Sequence, residues 1–314
     1  MVQIENLTKE FDGFIALNQL NLNIKKGSIY GLIGVNGSGK TTAIKHIAGI
    51  YRQDSGQVLI GGKPVYNNAQ LKALVGYIPD DLYFFPQYNM KSLSKFHAKM
   101  YKNWNEDRYR RFLSLFDLND KKRVGKFSKG MQKQVAFIFV MSIMPDVLLL
   151  DEPIDGLDPI VRKTVFQEII DDVAERQMTV LVSSHNLKEM DGICDSIGIL
   201  KKGQMMIERD LDDLKMDVHK IQLAFSEAPA SLRTSLGLEV LHEESRGNIK
   251  LLVVRGKENE VMERVKRLNP LVYDNLPLTL EEIFLYEGKQ EAVQVLSLSS
   301  HGEGLSDESN KFTN

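Results

Sequence analysis

Two opening stretches, VQIENLTKEF and ALNQLNLNIKKG, alternate apolar and polar positions, the period-two pattern of strands with one buried face. Lys26-Gly27 closes the second with a turn signal. SIYGLIG is a short apolar strand that runs into a glycine-rich loop, and KTTAIKHIAGI after it has helical spacing. SGQVLIGGKPV reads as a hairpin with Gly61-Gly62 at its turn. From Leu93 to Phe116 the pattern turns helical and rich in Lys, Arg and aromatics. DVLLLDEP and MTVLVSSH are almost continuous apolar runs, as expected of central parallel strands buried on both faces. PIVRKTVFQEIIDDVAERQ between them reads as a helix and completes a βαβ crossover.

The pattern shifts near Leu211. HKIQLAF, LEVLHEE, IKLLVVRG and LVYDNLP read as short strands, with NEVMERVKRLN as an amphipathic helix between the last two, enough for a small α+β unit. SLSSHGEGLSDESNKFTN has too few apolar residues to offset the entropy of ordering. The expected organisation is an α/β domain at 1–210 with a helical subdomain at about 86–145, a small α+β domain at 211–288, and a disordered tail at 289–314. No internal repeat is evident.

Composition removes several function classes. Lys+Arg of 40 against Asp+Glu of 42 leaves no global basic field to hold nucleic acid. One cysteine, Cys194, excludes an internal disulfide and a multi-cysteine metal site, and in DGICDSIGIL it reads as packing. No apolar run approaches the length of a membrane span, and MVQIENLTKEFDGF lacks a signal-peptide pattern, so a cytoplasmic chain is expected.

The glycine loop carries the first chemistry. Gly34, Gly39, Lys40 and Thr41 fit the template G-x-x-x-x-G-K-[ST], with a strand before and a helix after. A phosphate cradle needs backbone N–H groups aimed inward, which Gly34, Gly37 and Gly39 permit, and the helix start adds its positive end. The whole run Gly34, Val35, Asn36, Gly37, Ser38, Gly39, Lys40, Thr41 and Thr42 is therefore the candidate phosphate cradle of a nucleotide. Lys40 is placed to reach the β and γ oxygens, and the Thr41 hydroxyl to ligate Mg²⁺. VLLLDEP ends a buried strand with two acids: Asp151 to hold Mg²⁺, directly or through water, and Glu152 to accept a proton from the attacking water. Together these motifs read as an NTPase.

KFSKGMQKQVAFIFVMSIM lies between the two motifs, and IDGLDP and LVSSHNLKEMDGICDSIGILKKGQM follow. Their order, spacing and wording over about residues 2 to 210 resemble the ATPase subunit of an ATP-binding cassette (ABC) transporter. The resemblance implies a P-loop NTPase core of the ABC type, a mixed sheet with an antiparallel β-subdomain and a helical subdomain. It also implies that two cassettes sandwich two Mg-ATP, the signature of one capping the nucleotide of the other. FSKGM matches that signature at Ser128 and Gly130, while Lys129 and Met131 depart from it. Asp158 in DGLDP matches the loop that positions opposing chains, and His185 matches the switch histidine at the γ-phosphate. Phe11 falls where the family stacks an aromatic on adenine, with Phe14 the nearby competitor.

The main departure is VGYIPDD, where Asp80 stands in place of the usual Gln as a Mg²⁺ ligand through water. After it come Tyr83, Phe84, Phe85, Tyr88, Phe96, Tyr101 and Trp104, a segment read as a groove for a short helix of a membrane partner as well as core. The C-terminal unit, ending in LPLTLEEIFLYEGK, resembles the small extension on ATPase subunits of drug, antibiotic and sodium exporters. The expected function is an ATP hydrolase energising a separate permease, probed against two rivals. A soluble ABC ATPase acting on nucleic acid or ribosomes is disfavoured by the single cassette, the near-neutral charge and the lack of coiled coils or zinc motifs. A regulator that binds ATP without turnover is disfavoured by intact Lys40, Asp151, Glu152 and His185. The expected partners are a membrane-spanning permease and a second cassette, identical or related, with the chain peripheral on the inner face of the membrane and no nucleic acid bound.

Overall fold

The computed structural model describes residues 1–153, 156–211, 213–214, 218–226 and 232–286; the tail expected at 289–314 lies outside them. The chain divides into two compact units, Met1–His185 with Gly192–Ile207, and Asn186–Asp191 with the chain from Glu208 onward.

In the first unit, β1 (Val2–Phe11) and β2 (Phe14–Ile24) pair antiparallel, and β4 (Ser55–Ile60) and β5 (Lys63–Pro64) extend the sheet in the order β2-β1-β4-β5. Period-two alternation puts Val2, Ile4, Leu7, Leu17, Leu20, Leu22 and Ile24 on one buried face. The β1–β4 ladder shifts register between Glu5 and Thr8. Gly56 sits beside that shift with φ +78, and a Cβ there would lie 2.3 Å from the Asn6 carbonyl oxygen, so only glycine fits.

The second sheet holds the core. β3 (Ile29–Ile33), β6 (Val75–Ile78), β7 (Val147–Asp151), β8 (Thr179–Ser184), β9 (Ser196–Lys201) and β10 (Gln204–Asp210) lie in the order β10-β9-β3-β8-β7-β6. Pairing is parallel for β3–β9, β3–β8, β7–β8 and β6–β7. Every residue of β3, β7 and β8 is buried, which explains their unbroken apolar runs. α1 (Lys40–Ile47) follows the glycine loop and buries Ala43, Ile44 and Ile47. α6 (Pro159–Arg176) makes the crossover between β7 and β8. Its cap is Asp158, whose Oδ1 accepts from Ile160 N and Val161 N at 3.1 and 3.0 Å.

Between β6 and β7 the chain forms helices. After the single turn α2 (Ala69–Lys72), which precedes β6, come α3 (Met90–Met100), α4 (Glu106–Leu115) and α5 (Lys129–Ser142). The helical pattern read from Leu93 to Phe116 is therefore interrupted. Tyr101 turns extended at φ −106 and ψ 118, and Asn105 caps the next helix by accepting from Arg108 N at 2.9 Å. The break brings side chains from three helices into one aromatic stack. His97, Trp104 and Tyr109 each lie against Phe139 of α5, with ring centroids 4.8, 6.0 and 5.8 Å away.

The second unit contains β11 (Val218–Ala224), α7 (Leu232–Leu236), β12 (Glu239–Arg246), β13 (Ile249–Arg255), α8 (Glu258–Arg267), β14 (Val272–Leu276) and α9 (Leu280–Tyr286). The strands form an antiparallel sheet, β12-β13-β11-β14. Val261 and Val265 of α8 join Ile221, Leu223, Leu252 and Val254 in its core. The turn Asn186–Asp191 groups here too, and Lys188 Nζ pairs with Glu281 Oε2 at 3.3 Å.

Candidate functional site

The register of the parallel strands gathers four strand ends along one edge. Ile33 of β3 pairs with Ser184 of β8, Ser183 with Asp151 of β7, and Leu150 with Ile78 of β6. The segments leaving those ends are the glycine loop, His185, Glu152 and Asp80. Such a carboxyl edge is where ligands bind open α/β sheets.

The glycine loop is shaped by contacts and by backbone conformation. Gly34 N donates to Ser184 O at 3.2 Å. A Cβ on Gly34 would meet Leu200 O and Ser38 Oγ at 2.5 Å, and one on Gly39, at φ +110, would meet Ala16 O at 2.9 Å. Gly37 differs: at φ +78 it faces open space, which leaves its backbone accessible. Asn36, Gly37 and Thr41 are exposed, whereas Ser38 and Lys40 are buried. Gly39 stands at the N-cap of α1 and brings no side chain, so its first amide groups have no side-chain cap. Ser38 Oγ is buried without a hydrogen-bond partner among the described residues. That orphaned hydroxyl and the uncapped helix start fit an anionic ligand.

Lys40 folds back over the loop. Its Nζ donates to Gly34 O at 2.6 Å and pairs with Glu152 Oε1 at 3.1 Å. His185 Nδ1 lies 3.0 Å from the other carboxylate oxygen, Oε2. Because a carboxylate only accepts, Nδ1 carries the hydrogen, and a neutral ring then presents Nε2 as an acceptor. Glu152 itself sits at φ 47, a left-handed conformation that a side chain disfavours. Both ends of its backbone are held by side chains. Its N–H donates to Ser183 Oγ at 3.1 Å, and its carbonyl accepts from Lys133 Nζ at 2.9 Å. Ser183 Oγ donates in turn to Asp151 Oδ1 at 2.7 Å, and Asp151 is 1% exposed.

Asp80 is 55% exposed on its side chain, with Oδ1 3.6 Å from Lys133 Nζ. Beside it on β6, Tyr77 has its phenol pKa raised well above 10.0 by burial, then by the charges of Asp151 and Asp80, so the ring stays neutral. Ser128 caps α5, its Oγ accepting from Met131 N at 3.3 Å. Gly130 follows in the first turn, where a Cβ would meet Gly156 O at 2.6 Å, so backbone approach within the chain already requires glycine. Phe11 stands at the tip of β1 opposite Phe14, edge-to-face with Tyr51 at 5.5 Å and with Lys9 Nζ 5.1 Å from its ring centre.

Of the expected site residues, the structure joins Lys40, Glu152 and His185 directly, with Asp151 linked through Ser183. Ser128 and Gly130 lie at the start of α5, on a different element from that cluster. Lys133, Ser183 and Tyr77 escaped the sequence reading. Lys133 left one signal, a cation at the start of the mostly apolar run KQVAFIFVMSIM. The aromatic segment divides: Tyr83 is 80% exposed and continues edge-to-face through Phe85 to Tyr88 at 5.7 and 5.9 Å, whereas Tyr101 and Trp104 are half-buried. A groove of about 390 Å³ lies nearby, lined by Ala69, Ala73, Leu74, Met100, Tyr101 and Ile143 among others.

A glycine loop before a helix, with a buried acid ending a strand of the same sheet and a glutamate just after it, defines a nucleotide-hydrolysing site of the P-loop kind. Comparison with known proteins narrows this. The ABC transporter family matches residues 17–155. The ABC transporter ATP-binding protein YtrB of Bacillus subtilis (strain 168) is 31% identical over 290 residues, 91% of this chain and 97% of that protein. The bacitracin transport ATP-binding protein BcrA of Bacillus licheniformis is 33% identical over 218 residues, 68% of this chain and 71% of that protein. A dimeric ATP-binding cassette solved in a post-hydrolysis state with ADP and Pi shares the fold, with TM-score 0.61 at 23% identity over 67% of this chain and 99% of that one. The chain belongs to the ATP-binding proteins of ABC transporters. It is an ATPase subunit of a transporter, and among the described residues no helix is long and apolar enough to cross a membrane.

Proposed function

We propose that the chain energises a separate membrane-embedded permease of an exporter, two cassettes closing on two Mg-ATP and reopening after hydrolysis. One observation carries the catalytic part: Lys40 and His185 hold the two oxygens of a single carboxylate, Glu152, beside the glycine loop. Lys40 exchanges Glu152 Oε1 for phosphate oxygens when nucleotide occupies the loop, which frees Glu152 to accept a proton from the attacking water. His185, fixed through Nδ1, turns its Nε2 side to the γ-phosphate. Ser128 and Gly130 serve the nucleotide of the opposing cassette, Asp158 lies at that junction, and Phe11 stacks on adenine.

Thr41 and Asp151 supply oxygen donors that suit Mg²⁺, with Asp80 acting through water while Lys133 holds its other side. When bound, Mg²⁺ would supply positive charge that offsets the negative charge developing on the phosphates.

The apolar groove near Met100 and Tyr101 supports a docking place for a short helix of the permease. Export is supported by the resemblance of the C-terminal unit to exporter extensions and by a relative that serves bacitracin transport. The test is purification of the full-length Glu152→Gln chain with ATP from detergent-solubilised membranes of its host. A multi-span membrane protein is expected to co-purify. Ribosomal or nucleic-acid components with no membrane protein would move the function to a soluble ATPase.

A further inference from the structure

We infer that Lys133 is a positioning residue for hydrolysis, which sets the backbone of Glu152 and ties it to the charge of Asp80. The inference rests on the reading of Glu152 as the proton acceptor.

Lys133 lies in the first turns of α5, and its side chain is 12% exposed. Its ammonium group reaches two elements of the site. It donates to the Glu152 carbonyl at 2.9 Å and lies 3.6 Å from Asp80 Oδ1. A backbone carbonyl carries only partial charge, so the carboxylate of Asp80 supplies the counter-charge that a mostly buried lysine needs. Each of the three residues thus stabilises the placement of the others.

Glu152 needs such holding. Its left-handed conformation is one that a non-glycine residue keeps only when its surroundings fix it. It lies one residue beyond the end of β7, so its N–H is bonded to the Ser183 side chain rather than to a neighbouring strand's carbonyl. Its carbonyl accepts from Lys133 Nζ, which holds that end of the residue. Rotation of that peptide would swing the carboxylate away from Lys40 and His185. The contacts of Lys133 are with the Glu152 carbonyl and Asp80, so its effect falls on the geometry of the proton acceptor and not on nucleotide affinity. Asp80 lies two residues beyond β6, in the segment that leads to the exposed aromatics Tyr83, Phe85 and Tyr88. A shift of Asp80 therefore reaches Glu152 through one side chain.

The experiment measures steady-state ATP hydrolysis and ATP affinity for the full-length chain and for Lys133→Met, Lys133→Arg, Asp80→Asn, the Lys133→Met/Asp80→Asn double variant and Glu152→Gln. Lys133→Met is expected to lower kcat by roughly tenfold to a hundredfold, the scale of a displaced catalytic group, with KM for ATP within about threefold. Lys133→Arg, which keeps the cation and the donors, recovers most of that loss. The double variant falls by less than the product of the two single losses, because Lys133 and Asp80 share one contact. Lys133→Met at wild-type kcat, a matching loss of ATP affinity, or fully multiplicative losses in the double variant would each overturn the inference. Glu152→Gln separates the two readings. If it is inactive while Lys133→Met is fully active, only the role of Lys133 falls; if it turns over normally, the reading of Glu152 falls and takes Lys133 with it.

Discussion

Lys40 joins two functions in one side chain, since its ammonium bridges the loop carbonyl of Gly34 and the carboxylate of Glu152. Buried at 5% exposure, it is held in place for phosphate by the loop itself. Lys40→Ala is expected to weaken ATP binding at least about tenfold, ~1.4 kcal/mol, by calorimetric titration. Unchanged affinity would remove the cradle role. Two histidines, His46 buried and His97 half-buried, set a pH dependence of stability. Desolvation lowers the pKa of His46 and of His97 below 6.5. In the unfolded chain both protonate near 6.5, whereas in the fold they resist, so the unfolded state binds more protons in acid. Stability is full above 6.5 and declines as pH falls from there towards the folded-state values. Thermal melts should show Tm falling between about pH 7.5 and 5.5, and His97→Phe, which keeps the ring stack against Phe139, should shrink that fall. An equal fall in the variant would place the dependence elsewhere.

At the scale of elements, legibility followed the kind of contact that makes each one. β3, β7 and β8 could be read because strands buried on both faces need apolar residues at every position. The glycine loop could be read because its constraints are local to seven or eight consecutive residues. The break between α3 and α4 could not, because Tyr101 and Trp104 continue a helical apolar spacing while serving a stack centred on Phe139, far along the chain. Asn105 was the available signal, an N-cap residue just before the acids Glu106 and Asp107. Lys133 was illegible in its role for the same reason: its partners Asp80 and Glu152 are brought to it only by the pairing of β6 with β7. α4 and α5 meet through Phe112, which is fully buried with its ring 5.6 Å from Phe137 and cations of Arg108 and Arg111 near its face. Phe112→Ala should cost about 3–5 kcal/mol in urea unfolding of the first unit's transition. A loss below about 1 kcal/mol would mean that the helices do not depend on this contact.

For the whole molecule, a continuous parallel core supplies rigidity and its carboxyl edge supplies chemistry, each strand end contributing one part of the site. The proposed cycle binds hydrolysis to the second cassette, since in it each signature, Ser128 with Gly130, would serve the nucleotide of the other chain. The measurement that tests this most directly is ATP turnover and oligomeric state of Glu152→Gln in the same Mg-ATP solution. The account predicts retained ATP binding, turnover reduced by at least roughly a hundredfold, and a shift from monomer to dimer by analytical ultracentrifugation. Wild-type turnover in Glu152→Gln would contradict it.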